Sequence, residues 1–235
     1  RFILETLLNV KNVKVVAICD KLIERLNQGK EIVLNKAAYE PMCFENYSNL
    51  LAVKDIEAVI VCTTWTTHIK IAIQAMKSGK HAGIEVGGAS SLEECWHLVR
   101  TSEETGKFCM MLENICYADN ELALFNIERQ GLFGELVHLQ GGYEHDLRDE
   151  IALGRENKHG RFNNFLHRNG ELYPTHQLGP IAKLLRINRG NRFLTLTSMS
   201  SKARGLHEWI IENRAEDNDL VKMVFEQGDI VTTMI

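Results

Sequence analysis

Between residues 13 and 114, short apolar runs rich in β-branched residues take turns with amphipathic stretches of helical period. The run "VKVVAICD" (13 to 20) ends in an acid, and "AVIVCTT" (58 to 64), "HAGIEV" (81 to 86) and "FCMMLEN" (108 to 114) repeat its character. Each reads as a buried parallel strand. In "HIKIAIQAMKSGK" the residues Ile69, Ala72, Ile73 and Met76 share one helical face and Gly79 supplies the stop. In "SSLEECWHLVRTSEETGK" Ser91 and Glu94 have capping-box spacing, Leu92, Cys95 and Val99 share a face, and Gly106 terminates. Strand–helix alternation at these lengths implies right-handed βαβ units and a parallel sheet covered on both faces.

After "YADNELALFNIERQG", a helix expected to be capped by Asp119 and stopped by Gly131, the pattern changes. Longer runs of mixed polarity follow: "ELVHLQGGYEHD", "RFLTLTSMSS" and "LVKMVFEQGDIVTTMI", the last predicted to fold back at "QGD" as a hairpin. The expected fold class is α/β: a Rossmann-like doubly wound parallel sheet over residues 1–117, then an α+β domain over 118–235 with an open, mainly antiparallel sheet. The chain starts inside a helix end, "RFILETLLN", and stops in a strand-like run, so it reads as truncated at both ends, without the first strand and its glycine-rich loop.

A formal charge of -4, with Lys and Arg scattered, offers no electrostatic footprint for nucleic acid, and no apolar run approaches the roughly 20 residues that span a bilayer. The six cysteines form no CxxC pair and are expected as buried small hydrophobes.

In a doubly wound sheet the ligand lies at the carboxyl ends of the strands, and here those ends are polar. Asp20 suits the two hydroxyls of an adenosine ribose and would repel a 2′-phosphate, favouring NAD over NADP; it equally suits a cap on the helix "KLIERLNQG". "TTWTTH" sets Trp65, Thr66, Thr67 and His68 at the second tip, as caps of the next helix or, for Trp65, against a cofactor. Glu85 and Val86 precede two glycines at the third tip, and Glu113, Asn114 and Tyr117 follow the fourth strand. Further on, "NGELYPTHQLGP" holds two of only three prolines. Pro174 is expected to push Tyr173 into an extended conformation, and Pro180 to open the helix "IAKLL" from its first turn.

Asp20, then "TTWTTH", then a glutamate-ended strand, then "EN", then an open antiparallel domain: this succession resembles the Gfo/Idh/MocA group of NAD(P)-dependent sugar oxidoreductases. Within that group, "MLENICYADNELALFNIERQGLFGELVHLQGGYEHDLR" and "HRNGELYPTHQLGPIAKLL" are similar to glycoside hydrolase family 109, NAD-dependent α-N-acetylgalactosaminidases. The wider group's dehydrogenases carry a Glu-Lys-Pro motif whose lysine assists proton transfer. This chain reads Glu85, Val86, Gly87, which resembles the hydrolase branch.

The resemblance implies hydride removal from C3 of the sugar to NAD+, proton abstraction at the acidified C2, expulsion of the C1 aglycone, water addition and re-reduction. It implies Tyr117, Tyr173 and His176 as catalytic residues, with Tyr117 the C2 base and His176 the group that moves the C3 hydroxyl proton. The cofactor would be held by Asp20, Trp65, Thr66, Thr67, His68, Glu85, Val86, Asn114 and Arg161. Tyr143, Tyr173, Pro174, Thr175 and His176 would bind the sugar. Without the motif, core packing for the tyrosines and the histidine, and a surface role for Arg161, are the commoner fates.

Glu144, His145, Asp146, His159 and His176 fit no usual metal-ligand spacing, and no metal is expected. Two other readings stand beside the glycosidase: an NAD-dependent sugar or cyclitol dehydrogenase that releases its oxidised product, and a non-catalytic sugar or nucleotide sensor. The implied partners are a small molecule or glycan and, through an open sheet face, a second copy of the chain. Location is open between the bacterial cytoplasm and export after folding.

Overall fold

The computed structural model describes residues 2–235; Arg1, where the reading of the N-terminal helix begins, lies outside them. The chain divides into two compact units, one comprising residues up to Cys62 with Thr67–Ile84 and Ala89–Met110, the other Thr63–Thr66, Glu85–Gly88 and Met111–Ile235.

The first unit runs α1 (Phe2–Leu7), β1 (Ala17–Cys19), α2 (Ile23–Ala37), β2 (Met42–Phe44), α3 (Tyr47–Leu51), β3 (Ala58–Val61), α4 (Trp65–Lys77), β4 (His81–Ile84), α5 (Leu92–Thr105) and β5 (Cys109–Met111), with Trp65, Thr66 and Met111 grouped in the other unit. The strands pair in parallel, as expected, but among the described residues they fall in two sheets: β1 lies beside β2, which the sequence did not announce, with Ala17 opposite Met42, and β3 lies beside β4 with Val61 opposite Ile84, while β5 borders β4. The strands are shorter than the apolar runs that announced them, and β2 and α3 had no sequence signal strong enough to name. On α4 the predicted face is the core face: Ile69, Ala72 and Met76 are buried beside Leu50, Leu51, Ile56, Ala82 and Ile84. Each large apolar side chain so buried contributes about 2 kcal/mol.

Several expectations are corrected here. On α5, Ser91 caps through Glu94 N–H as its spacing implied, but Leu92, Cys95 and Val99 face outwards; only Thr101 is buried and Leu98 meets the core. A helical stripe has apolar period without having a partner to cover it. Of the cysteines, Cys116 is buried, Cys19 and Cys109 partly so, and Cys43, Cys62 and Cys95 are exposed, so burial as small hydrophobes fails for three of them.

The second unit continues with a 3₁₀ turn (Ile115–Tyr117), α6 (Asp119–Arg129), α7 (Arg148–Ala152), α8 (Phe162–His167), α9 (Thr175–Leu184), β6 (Thr197–Ser200), α10 (Gly205–Asn213), α11 (Asn218–Val221) and β7 (Val231–Met234). Its core is Ile151, Ala152, Phe162, Ile210, Leu220 and Phe225. Strands β6 and β7 pair antiparallel, Thr197 opposite Met234. Residues 135–146 form no strand, and "QGD" is not a hairpin: residues 218–221 are helical and only the last stretch pairs, with β6. Alternation alone does not make a strand where no neighbour supplies hydrogen bonds. Asp119 is not the cap of α6; Ala118 holds that position without a side-chain bond, and Asp119 lies in the first turn. Pro180 does not open its helix either. Helix α9 begins at Thr175 with Pro174 at its N-cap (φ -77, ψ -13), and Pro180 lies inside. Among the described residues no helix is long and apolar enough to cross a membrane.

Candidate active site

In the first unit, Asp20 stands just after β1. Its backbone N–H donates to the Phe44 carbonyl at 3.2 Å, and its Oδ1 accepts the Leu22 N–H at 2.9 Å. The carboxylate thus braces the turn into α2 while remaining at the strand end where a ribose would be recognised. Thr67 is partly buried and His68 fully buried in α4.

The other strand tips belong to the second unit. Glu85 Oε1 accepts the Val86 N–H at 3.1 Å, and Val86 is buried. Gly87 has φ +89, and a Cβ there would stand 2.1 Å from Trp65 Nε1. Only glycine allows both the backbone and the indole that lies flush against it.

Trp65 begins an aromatic cluster. Its ring stacks on Tyr173 at 5.5 Å and 21°. Tyr173 meets Tyr143 at 5.2 Å and His176 edge-on at 4.8 Å, and Tyr143 meets His176 at 4.9 Å and stacks on His145 at 4.5 Å. The Arg161 guanidinium lies over both Tyr173 (4.9 Å) and Trp65 (5.5 Å). Burial pushes the Tyr173 phenol up to about 12, against the opposing pull of Arg161. A cavity of about 1640 Å³ opens beside the cluster, with Trp65, Tyr143, Arg161, Tyr173, Pro174 and Gln177 among its walls.

His176 is tied down by Glu113, whose Oε1 lies 2.7 Å from the imidazole Nδ1 and also accepts the Ile115 N–H at 3.0 Å. Both side chains are nearly buried, at 13% and 11% exposure. A short bond to a buried carboxylate fixes the ring and presents Nε2 as the working nitrogen. Glu113 Oε2 and Thr175 Oγ1 are buried with no hydrogen-bond partner in the structure. Helix α9 admits this carboxylate because residue 179 is glycine: a Cβ there would stand 3.0 Å from Cys116 Sγ and 3.1 Å from Glu113 Cγ.

The structure therefore brings together Trp65, Tyr143, Arg161, Tyr173 and His176, with Pro174 and Thr175 between the last two. Among the described residues no ring contact ties Tyr117 to this cluster; Tyr117 is exposed, with the Lys183 ammonium 4.5 Å from its ring centroid. Asn114 and Thr66 are exposed. Glu113 and His145 were missed as site members. Glu113 was legible as a strand-tip acid, but its partner lies 63 residues away and only folding pairs them. Among the described residues no three His, Cys, Asp or Glu side chains are placed to hold a metal.

Taken by itself, the first unit has at the end of β1 a carboxylate of the kind that recognises the ribose of an NAD. Taken by itself, the second has a threonine-rich tip, a glycine turn and an apolar indole face, which also suit a nicotinamide nucleotide.

Residues 1–113 match the family described as "Oxidoreductase family, NAD-binding Rossmann fold", and residues 117–235 match "Glycosyl hydrolase 109, C-terminal domain". A glycosyl hydrolase family 109 protein of Parabacteroides distasonis is 39% identical over 246 residues, covering 94% of this chain and 53% of its own. An alpha-N-acetylgalactosaminidase of Tannerella forsythia is 36% identical over 255 residues, covering 99% and 54%. The chain spans about half the length of the curated relatives it matches. Among solved structures, a myo-inositol 2-dehydrogenase of Lactobacillus plantarum has a TM-score of 0.69 at 15% identity, over 98% of this chain and 60% of that one. An oxidoreductase of Agrobacterium radiobacter, solved with NAD+, L-tartaric acid and magnesium, has a TM-score of 0.68 at 19% identity, over 99% and 59%. At such identities the two solved structures establish the fold alone, a Rossmann-like parallel sheet with a separate antiparallel sheet, and the family match over residues 1–113 marks the former as NAD-binding. The family matches go further: the chain belongs to glycoside hydrolase family 109.

Proposed function

We propose that the complete protein is an NAD-dependent glycosidase acting on terminal α-N-acetylgalactosamine-type glycosides. In this reading residues 1–117 form the nucleotide domain and residues 118–235 the sugar domain, and a second copy of the chain is the expected protein partner. The observation that carries the reading is the aromatic cluster around a carboxylate-braced His176 beside a large cavity, in a chain whose β4 tip, Glu85-Val86-Gly87, has no lysine. The name of the Tannerella forsythia relative supports the sugar class.

Bound NAD+ supplies a reversible hydride acceptor for C3 of the sugar. Asp20, the Trp65 segment, Glu85, Val86, Asn114 and Arg161 are proposed to hold it. His176, braced by Glu113, takes the C3 hydroxyl proton as the ketone forms and returns it at the end. Tyr173, a neutral donor at ordinary pH, hydrogen-bonds the C3 oxygen. The C3 ketone makes the C2 proton acidic; Tyr117 is assigned that proton on the family resemblance. Loss of the proton expels the C1 oxygen substituent, water adds at C1, and C2 is reprotonated. Tyr143 faces the sugar, and Arg161, on the cofactor side, spans the Trp65–Tyr173 stack.

The test is a screen of aryl glycosides with the complete protein, followed by turnover in D2O. Release of the aryl group with deuterium at C2 is expected. Cleavage without exchange at C2 excludes the elimination route, and net reduction of added NAD+ by a free sugar without cleavage makes the protein a dehydrogenase. Tyr117→Phe is expected to lose deuterium exchange while single-turnover cofactor reduction persists; if exchange survives, Tyr117 is not the C2 base.

A further inference from the structure

Arg161 reaches the aromatic cluster at the end of a long flexible side chain, and contacts with ring faces alone hold such a side chain weakly. Other groups converge on it from behind. Glu150, in the first turn of α7, places Oε1 2.8 Å from His159 Nε2 and 4.0 Å from Arg161 Nη1. The Arg161 backbone N–H donates to His159 Nδ1 at 3.4 Å. That bond assigns the imidazole the tautomer with hydrogen on Nε2, the form that donates to Glu150.

Close packing seats the same loop. A Cβ on Gly160 would stand 3.0 Å from Thr64 Cγ2, so the backbone carrying His159 and Arg161 is pressed onto the segment carrying Trp65. Its base is rigid, because Ile151 and Ala152 next to Glu150, and Phe162 next to Arg161, are buried in one apolar cluster.

We propose that Glu150 and His159 are positioning residues: they hold the Arg161 guanidinium across Trp65 and Tyr173 and so keep Tyr173 set for the sugar. The effect on turnover rests on the glycosidase reading, whereas the latch itself concerns only how Arg161 is held against Trp65.

The test uses the complete protein loaded with NAD. Glu150→Gln keeps the size of the side chain and removes its charge; it is expected to lower kcat/KM for an aryl glycoside about tenfold, with partial recovery in Glu150→Asp. In an Arg161→Met background Glu150→Gln should have no further effect, since it acts through the guanidinium. Tryptophan emission gives a readout free of turnover. Glu150→Gln and, independently, His159→Gln should change it, and the change should vanish in a Trp65→Phe background.

Additive losses in the double variant, or an emission that neither substitution moves, overturn the latch. If no glycoside is cleaved yet the Trp65 signal responds as described, the latch stands and the glycosidase reading falls.

Discussion

Tyr173 is half-buried among Trp65, Tyr143 and His176, and burial raises its phenol from 10.0 to about 12. The sign of its effect on stability follows. Between pH 10 and about 12 the folded protein keeps a proton that the unfolded chain has released, so stability from this residue is full below 10 and is lost as the pH rises towards 12. Tyr173→Phe should remove that part of the alkaline decline, seen as a shallower fall of the melting temperature over this range; an unchanged slope would contradict the burial. Residue chemistry was partly legible in advance: Tyr173 and His176 stood out in a proline-braced motif, and Arg161 through family likeness. What a linear reading lacked was the partner of each. Glu113 for His176, and Glu150 with His159 for Arg161, are neighbours only after folding.

At the level of elements, α9 explains the motif that surrounds His176. Pro174 supplies a preset φ at the cap position. Pro180, inside the helix, has no N–H for the carbonyl four residues earlier, which is that of His176, so the helix is loosened at the residue proposed to move a proton. Gly179 leaves the helix surface thin enough for Glu113 to pass beneath. Gly179→Ala sets two effects against each other: a gain of up to about 1 kcal/mol in helix propensity, and a Cβ 3.1 Å from Glu113 Cγ that pushes the carboxylate away from the imidazole. Turnover should fall about tenfold while the melting temperature moves by only a few degrees. A large drop in melting temperature at unchanged kcat would show that the glycine serves packing and not the Glu113–His176 bond. The helices read from 3.6-residue period were right where that period had a sheet to lie on, as in α4. In α5 the helix, its Ser91 cap and its Gly106 stop were read correctly, but the side that meets the core carries Leu98 and not the Leu92, Cys95 and Val99 stripe, and the alternating pattern of residues 135–146 found no pairing neighbour and became loop.

For the molecule as a whole, nucleotide binding should appear as stabilisation. A ligand that binds only the folded state adds about 2.7 kcal/mol at a concentration 100 times its Kd. Asp20→Asn keeps an oxygen for the Leu22 N–H and removes the charge. It should leave the melting temperature of the unliganded protein unchanged, shrink the shift produced by NAD, and narrow the gap between NAD and NADP; equal shifts before and after substitution would remove Asp20 from the cofactor site. The alternation of apolar runs with amphipathic helices determined the parallel βαβ architecture, because a buried strand and the helix that covers it each carry their own period in the chain. Tertiary structure alone decided which polar strand ends were brought together with residues of distant segments. Stacking Trp65 on Tyr173, spanning both with Arg161 and setting Glu113 against His176 are contacts between residues far apart in sequence, and the close approach of side chains to the backbone at Gly87 and Gly179 leaves no periodic trace in the chain.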